Sequence, residues 1–389
     1  MRAGLVCLVL GYVLSQFYRA FLAVLTPSLV ADLHVTTEQL ASASNFWFLG
    51  FALMQIPVGE ALDRVGPRWT ASVLFFVAAV GAVIFASATG PTAIVIGMGL
   101  IGIGCAPALM TTYFIYARSF PAAAFGTFAG AVAGLGSLGN VASALPFAWA
   151  VDAFGWRVSV WALAAISLAI AILSAALIRD PPRVEGGKGG SILDLLRDRR
   201  LWPIFAMMAV CYFPAAGLRD LWVGPYARDI FGYGENRIGE LTLVMGLAMG
   251  LGNFVYGLFD RFKPQRKTII LTGNMVCAAG ILGLWLWPDR GAAMAFALFA
   301  LVGLFGTSFP LMMSYGKGFL PKAMLGRGVT LLNFFSIGTT GLVQVATGYL
   351  FASGEGEPSP DRFGGVFLFF ALALLAGLAV FAFGRSPTR

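Results

Sequence analysis

Twelve apolar runs, each of roughly 18 to 27 residues, follow one another along a chain of 389 residues with short polar breaks between them. A segment inside a bilayer must satisfy its own backbone N–H and C=O groups, which leaves an α-helix or a closed β-barrel. The runs show no strand-like alternation, and each is long enough for a helix to cross about 30 Å of hydrocarbon. We therefore read helices near 5–31, 41–62, 70–88, 92–117, 124–149, 158–178, 201–226, 238–259, 268–287, 292–316, 326–351 and 363–384. A soluble reading fails on composition. Apolar residues make up 59% of the chain and charged residues 11%, against about 25% charged in a soluble domain. Met1-Arg2 and the apolar stretch after it have the outline of a secretory signal. The stretch continues to about residue 31 without a clear cleavage site, so it reads as a retained first helix.

Between the sixth and seventh runs lies the segment 179–200, rich in Gly, Pro and charge. It divides the chain into an N-terminal six-helix bundle, 1–178, a cytoplasmic linker, 179–200, and a C-terminal six-helix bundle, 201–389. With the N-terminus inside and the helices alternating, eighteen Lys/Arg fall on the inner side and five on the outer: Arg157, Arg228, Arg237, Arg290 and Arg362. That positive-inside bias puts both termini and the linker in the cytoplasm. The localisation expected is the inner (plasma) membrane. The net charge of +8 does not imply nucleic-acid binding, because the basic residues sit in short loops between apolar runs. Cys7, Cys105, Cys211 and Cys277 lie far apart inside apolar runs, without disulfide or zinc spacing. With His34 as the one histidine, a His-based metal site is not expected, nor is any cofactor.

The chain repeats itself about 200 residues on. Gly59, Asp63, Arg64, Gly66 and Arg68 close the second run; Gly257, Asp260 and Arg261, followed by Arg266 and Lys267, close the eighth. Phe120-Pro121 with Gly126 precedes the fifth run, and Leu320-Pro321 with Gly326 the eleventh. Arg19 in the first run matches Arg219 in the seventh. The G-x-x-x-D-R-x-G-x-R loop, its second copy, the central linker and the Phe154-Gly155-Trp156-Arg157 turn resemble the major facilitator superfamily over essentially the whole chain. The resemblance implies an all-α membrane fold of twelve helices in two pseudo-symmetric bundles. It also implies that the loop residues Gly59, Asp63, Arg64, Gly66, Arg68, Asp260 and Arg261 latch helices in one state of a transport cycle. Two features depart from the family. Its usual arginine early in span four is missing, and the antiporter-type G-x-x-x-G-P motif of span five is only partly matched by Gly130, Gly134, Gly136 and Gly139.

Charges inside the apolar runs are the candidates for binding. An arginine at the bilayer centre costs about 2.5–3.5 kcal/mol on insertion scales, so Arg19 should face a bundle interior or a water-filled cavity. Arg219 repeats it. A guanidinium stays charged and offers a planar donor fork suited to carboxylate or phosphate. The pair also resembles the arginines in helices one and seven of the organophosphate and organic-anion branches. The structural alternative is a buried ion pair. Asp220 adjoins Arg219, but neighbouring helix residues point about 100° apart and do not easily meet; Asp220 could instead pair with Arg19. Asp220 is also the candidate proton carrier if a proton is coupled. Tyr113, Tyr212 and Asn333 are further candidates for the cavity wall, although most polar groups in spans bridge helices. Lys317 is expected to snorkel from the end of span ten.

These residues predict a secondary transporter that moves a small organic or phosphorylated anion by alternating access, as a monomer in the lipid bilayer, with a coupling ion such as H⁺ a possible second partner. Competing readings are an amino-acid or zwitterion carrier, a drug exporter and a membrane receptor that moves nothing. An enzyme would need a nucleophile–base pair or a metal cluster within the spans, and the sequence offers neither.

Overall fold

The computed structural model describes residues 2–121, 124–182, 190–352 and 359–384. Among the described residues it is 86% helical with no strand. Eleven helices are long and apolar enough to cross a membrane: Ala3–Leu33, Pro67–Ala86, Pro91–Ser119, Phe125–Phe154, Trp156–Leu177, Trp202–Phe231, Arg237–Phe259, Arg266–Leu286, Ala292–Lys317, Lys322–Phe351 and Pro360–Ala382. The helix Thr37–Arg64, 28 residues long, completes the set. The twelve helices fit the expected fold of a multi-pass membrane protein, and they are called spans one to twelve in chain order.

Starts and stops follow local chemistry. Thr36 makes a capping box with Gln39 at the head of span two, which satisfies two of the N–H groups that a helix start leaves unpaired. Spans three, four and twelve carry proline in their first turn, where its missing N–H costs nothing. Four spans are interrupted. Span four breaks between Cys105 and Pro107, span five between Ala142 and Leu145, span seven between Val210 and Phe213, and span ten between Phe305 and Phe309. A proline follows each break, at Pro107, Pro146, Pro214 and Pro310, as expected of a residue that cannot donate to the preceding turn. The polar groups released are taken up by neighbours. Gln55 donates to the Ala106 carbonyl at 3.3 Å, and the Tyr256 hydroxyl donates to Phe305 O at 2.9 Å.

The chain forms two compact units. The first comprises Met1–Ala122, Leu135–Ile192 and Pro321–Phe334; the second comprises Ala123–Gly134, Leu193–Leu320 and Phe335–Arg389. The start of span five thus belongs to the second unit, and that of span eleven to the first. In the first unit span three packs on spans four and six, and span two on span four. Small residues allow the approach: a Cβ on Gly104 would lie 2.3 Å from the backbone nitrogen of Ala78. The Tyr18 hydroxyl meets Ser167 Oγ at 2.9 Å. In the second unit span nine packs on spans ten and twelve, and span eight on span ten. Asn274 donates to Ser308 Oγ at 2.8 Å, Trp222 Nε1 donates to Thr347 Oγ1 at 3.1 Å, and the rings of Tyr226, Phe299, Phe363 and Phe367 cluster.

Candidate functional site

The loop after span two is held by its aspartate. Asp63 is 3% exposed and accepts from the backbone N–H of Gly326 at 2.8 Å and of Arg327 at 3.0 Å, and from Arg327 Nε at 3.1 Å. Arg118 Nη2 lies 3.8 Å from its other oxygen. The first turn of span eleven has unpaired N–H groups and the positive end of the helix dipole, so a carboxylate is its natural cap. Gly59 clears the way, since a Cβ there would strike Thr330 Oγ1 and the Arg327 backbone. Arg327 also donates to the carbonyl of Gly190, which ties the middle of the linker to the same guanidinium.

The second copy of the loop repeats the plan with one difference. Asp260 is fully buried and accepts from Gly126 N at 2.8 Å, at the start of span five. Its cation, Arg266 at 2.5 Å, begins span nine. Where span eleven has Arg327, span five has Thr127, whose hydroxyl donates to Gly257 O at 3.1 Å.

The other loop residues anchor neighbouring helix ends. Gly66 has φ +107°, which only glycine adopts without strain. The Asp180 carboxylate packs against it and accepts from Arg68 N at 2.8 Å. Arg68 Nε donates to the Ala175 carbonyl of span six at 2.6 Å. Lys267 is its counterpart, donating to Ala382 O and Gly384 O at the end of span twelve. Arg64 forms an exposed pair with Glu60 at 2.9 Å, and Arg261 lies over the Phe262 ring at 4.8 Å.

Of the candidate charges, Arg19 lies in the first unit and Arg219 with Asp220 in the second, and each is described within its own unit. Arg19 sits in span one with its guanidinium 5.2 Å from the centre of the Phe48 ring, within cation–π range. Arg219 and Asp220 lie on a π-helical turn, Leu218–Trp222, between Pro214 and Pro225. Contrary to the expectation from ordinary helix geometry, Arg219 Nη1 meets Asp220 Oδ1 at 3.4 Å. An adjacent pair also meets on the ordinary helix that follows, Arg228 Nε and Asp229 Oδ1 at 2.9 Å, so side-chain rotamers and not the turn type bring such neighbours together. The Nε of Arg219 is buried and has no hydrogen-bond partner. The guanidinium rests against span eight at Gly246. Tyr212, at the break in span seven, faces Phe309 at 6.2 Å between ring centroids. Tyr113 is fully buried and Asn333 is 2% exposed.

Two residues with clear structural roles, Arg327 and Asp180, escaped the sequence reading. Arg327 was one of eighteen inward-side cations, and Asp180 one more linker charge; their partners lie 264 and 112 residues away. Lys317, expected to snorkel, has its Nζ 3.6 Å from the centre of the Phe125 ring. The signal for Arg327 was its place directly after Gly326 in the internal repeat.

Comparison with known proteins gives a consistent picture. The family model described as Major Facilitator Superfamily matches residues 8–343. The chain is 24% identical over 303 residues to the probable sulfoacetate transporter SauU of Cupriavidus necator, covering 73% of this chain and 70% of that protein. It is 24% identical over 314 residues to the hexuronate transporter of Escherichia coli K12, covering 72% of each. It is 22% identical over 310 residues to the galacturonate transporter of Dickeya chrysanthemi, covering 72% of this chain and 90% of that one. Among solved structures, the human organic anion transporter MFSD10 superposes with TM-score 0.77 at 13% identity, covering 98% of this chain and 99% of that one. FucP in the outward conformation superposes with TM-score 0.77 at 16% identity, covering 99% of each.

Proposed function

Because the chain belongs to the major facilitator superfamily, we propose that it is a secondary carrier of a small organic anion, moved across the membrane by alternating access. The observation that carries the anion reading is the pair of arginines held inside spans one and seven, with the Nε of Arg219 buried and unsatisfied. A buried charged donor without a partner costs about 1–3 kcal/mol or more, and an anionic ligand removes that cost. The relatives are named for sulfoacetate, hexuronate and galacturonate, which favours carboxylate or sulfonate over phosphate ester. In this reading Arg19 and Arg219 take the anionic group, and Tyr113, Tyr212 and Asn333 contribute polar surface. Asp63 and Asp260, with Gly59, Arg64, Gly66, Arg68 and Arg261 shaping their loops, hold helix starts in one state of the cycle. The linker and both termini face the cytoplasm, the carrier acts as a monomer, and a proton carried by Asp220 drives uptake.

The test is thermal stabilisation of the purified protein in detergent by galacturonate, sulfoacetate, phosphate esters, amino acids, neutral sugars and lipophilic cations. Saturable stabilisation by galacturonate or sulfoacetate supports the reading. Stabilisation by amino acids or cations alone overturns the substrate class. In the same assay Arg19→Gln is expected to remove the ligand effect while unfolding at an unchanged temperature. Loss of the fold instead assigns Arg19 a structural ion pair.

A further inference from the structure

On the reading that Arg219 is a ligand for the substrate anion, we propose that Gly246 of span eight is a specificity-determining position. Its missing side chain forms the notch in which one anionic oxygen bonds the Nε–Nη2 edge of Arg219.

The geometry is local to one unit. A Cβ placed on Gly246 would lie 3.2 Å from Arg219 Nε, 3.4 Å from Nη2 and 3.6 Å from Cζ, and these are its three nearest atoms. Near-equal distances to Nε and Nη2, both shorter than to Cζ, put that point off the side of the guanidinium where its two N–H groups run parallel. An oxygen accepting a charge-assisted hydrogen bond sits about 2.7–2.9 Å from nitrogen. A methyl group at that point would crowd a carboxylate or sulfonate oxygen bonded to this edge. Two further observations agree. Nε is buried and unpaired, while Nη1, on the opposite side, is occupied by Asp220 at 3.4 Å. Asp220 thus orients the guanidinium and leaves the Nε–Nη2 edge for the ligand. A glycine in a helix interior costs about 1 kcal/mol relative to alanine, and the open edge of Arg219 gives that cost a reason. Gly239 on the same span has nothing within 4 Å of a built Cβ and serves as the control.

The experiment measures apparent affinity for galacturonate and for sulfoacetate by thermal stabilisation of the purified full chain. Gly246→Ala is expected to weaken binding at least about tenfold, the loss of one charge-assisted hydrogen bond. Its ligand-free unfolding temperature should stay unchanged, because the group it meets is the end of a flexible side chain. Gly239→Ala should bind as the wild type. Arg219→Lys removes the parallel donors, so adding Gly246→Ala to it should cost less than about twofold more. Three results overturn the proposal: unchanged affinity in Gly246→Ala, the same tenfold loss in the Arg219→Lys background, or an unstable Gly246→Ala that Arg219→Lys rescues. The anion reading itself fails differently, by a wild type that neither probe stabilises or by an Arg219→Lys variant that binds as the wild type.

Discussion

Asp63→Asn isolates the charge at the loop after span two. The substitution keeps the side chain's size and one acceptor oxygen, and it removes the charge that faces Arg327 at 3.1 Å and Arg118 at 3.8 Å. The side chains of Asp63 and Arg327 are 3% and 5% exposed, so solvent screens this pair little. Removing one partner of a buried pair costs about 3–5 kcal/mol. The amide oxygen can still accept one backbone N–H, and Arg327 keeps its bond to Gly190 O. The low end, about 3 kcal/mol, is therefore the working figure, about 150-fold against the state in which Asp63 holds span eleven. Asp260→Asn is the matched control. Its cation, Arg266, begins span nine and does not belong to the helix start that Asp260 holds, so the bond to that helix is the one from Gly126 N. That is worth about 1.5 kcal/mol, or about tenfold. The assay is galacturonate uptake into proteoliposomes beside ligand-induced stabilisation in detergent. Asp63→Asn should slow uptake at least about tenfold, and more than Asp260→Asn does, with binding affinity within about threefold of wild type. Unchanged uptake, or equal effects in the two loops, would refute the latch reasoning. A matching fall in affinity would move Asp63 into the binding site.

Asp220→Asn should abolish uptake driven by a pH gradient while exchange of internal for external substrate survives, because exchange needs no net proton movement; an unaltered pH dependence removes Asp220 from coupling. Arg157 donates to the Ala86 and Ala88 carbonyls at 3.1 and 2.8 Å and faces Asp32 at 3.4 Å, closing the end of span three. Arg157→Ala should lower the unfolding temperature by about 2–8 °C, from about 1–2 kcal/mol of lost bonds, and leave ligand affinity alone. A fall in affinity without a fall in unfolding temperature would refute that purely structural role.

The fold was legible because hydropathy acts over whole spans. Even the interrupted spans read as single runs, since a break of one to three residues leaves the apolar stretch intact. The carboxylate at Asp63 was legible for another reason: it opposes the local positive bias. What it binds was not, because its partners arrive from 263 and 264 residues away, and no local pattern encodes that distance. Arg219 and Asp220 were legible as buried charges, but their contact was hidden. It depends on the rotamers of two adjacent side chains, which the sequence does not specify.

The two loops show which part of the latch the repeat retains. Cation and hydroxyl differ, Arg327 in one copy and Thr127 in the other, so neither is the common element. Both copies keep a carboxylate, Asp63 or Asp260, on the backbone N–H of a glycine, Gly326 or Gly126, each at 2.8 Å. The glycines are required by space. A Cβ on Gly126 would lie 2.1 Å from the Asp260 side chain, and one on Gly326 would lie 2.9 Å from Asp63 Oδ1 and 2.7 Å from Gly59 O. No side chain fits between the carboxylate and the helix start. The shared device is therefore a carboxylate set on a helix dipole, with no cation common to the two copies. Asp63 pairs with a cation of the helix start it holds, Arg327, whereas Asp260 pairs with Arg266 at the start of span nine, so the two loops differ in which helix carries the countercharge while they remain alike in geometry.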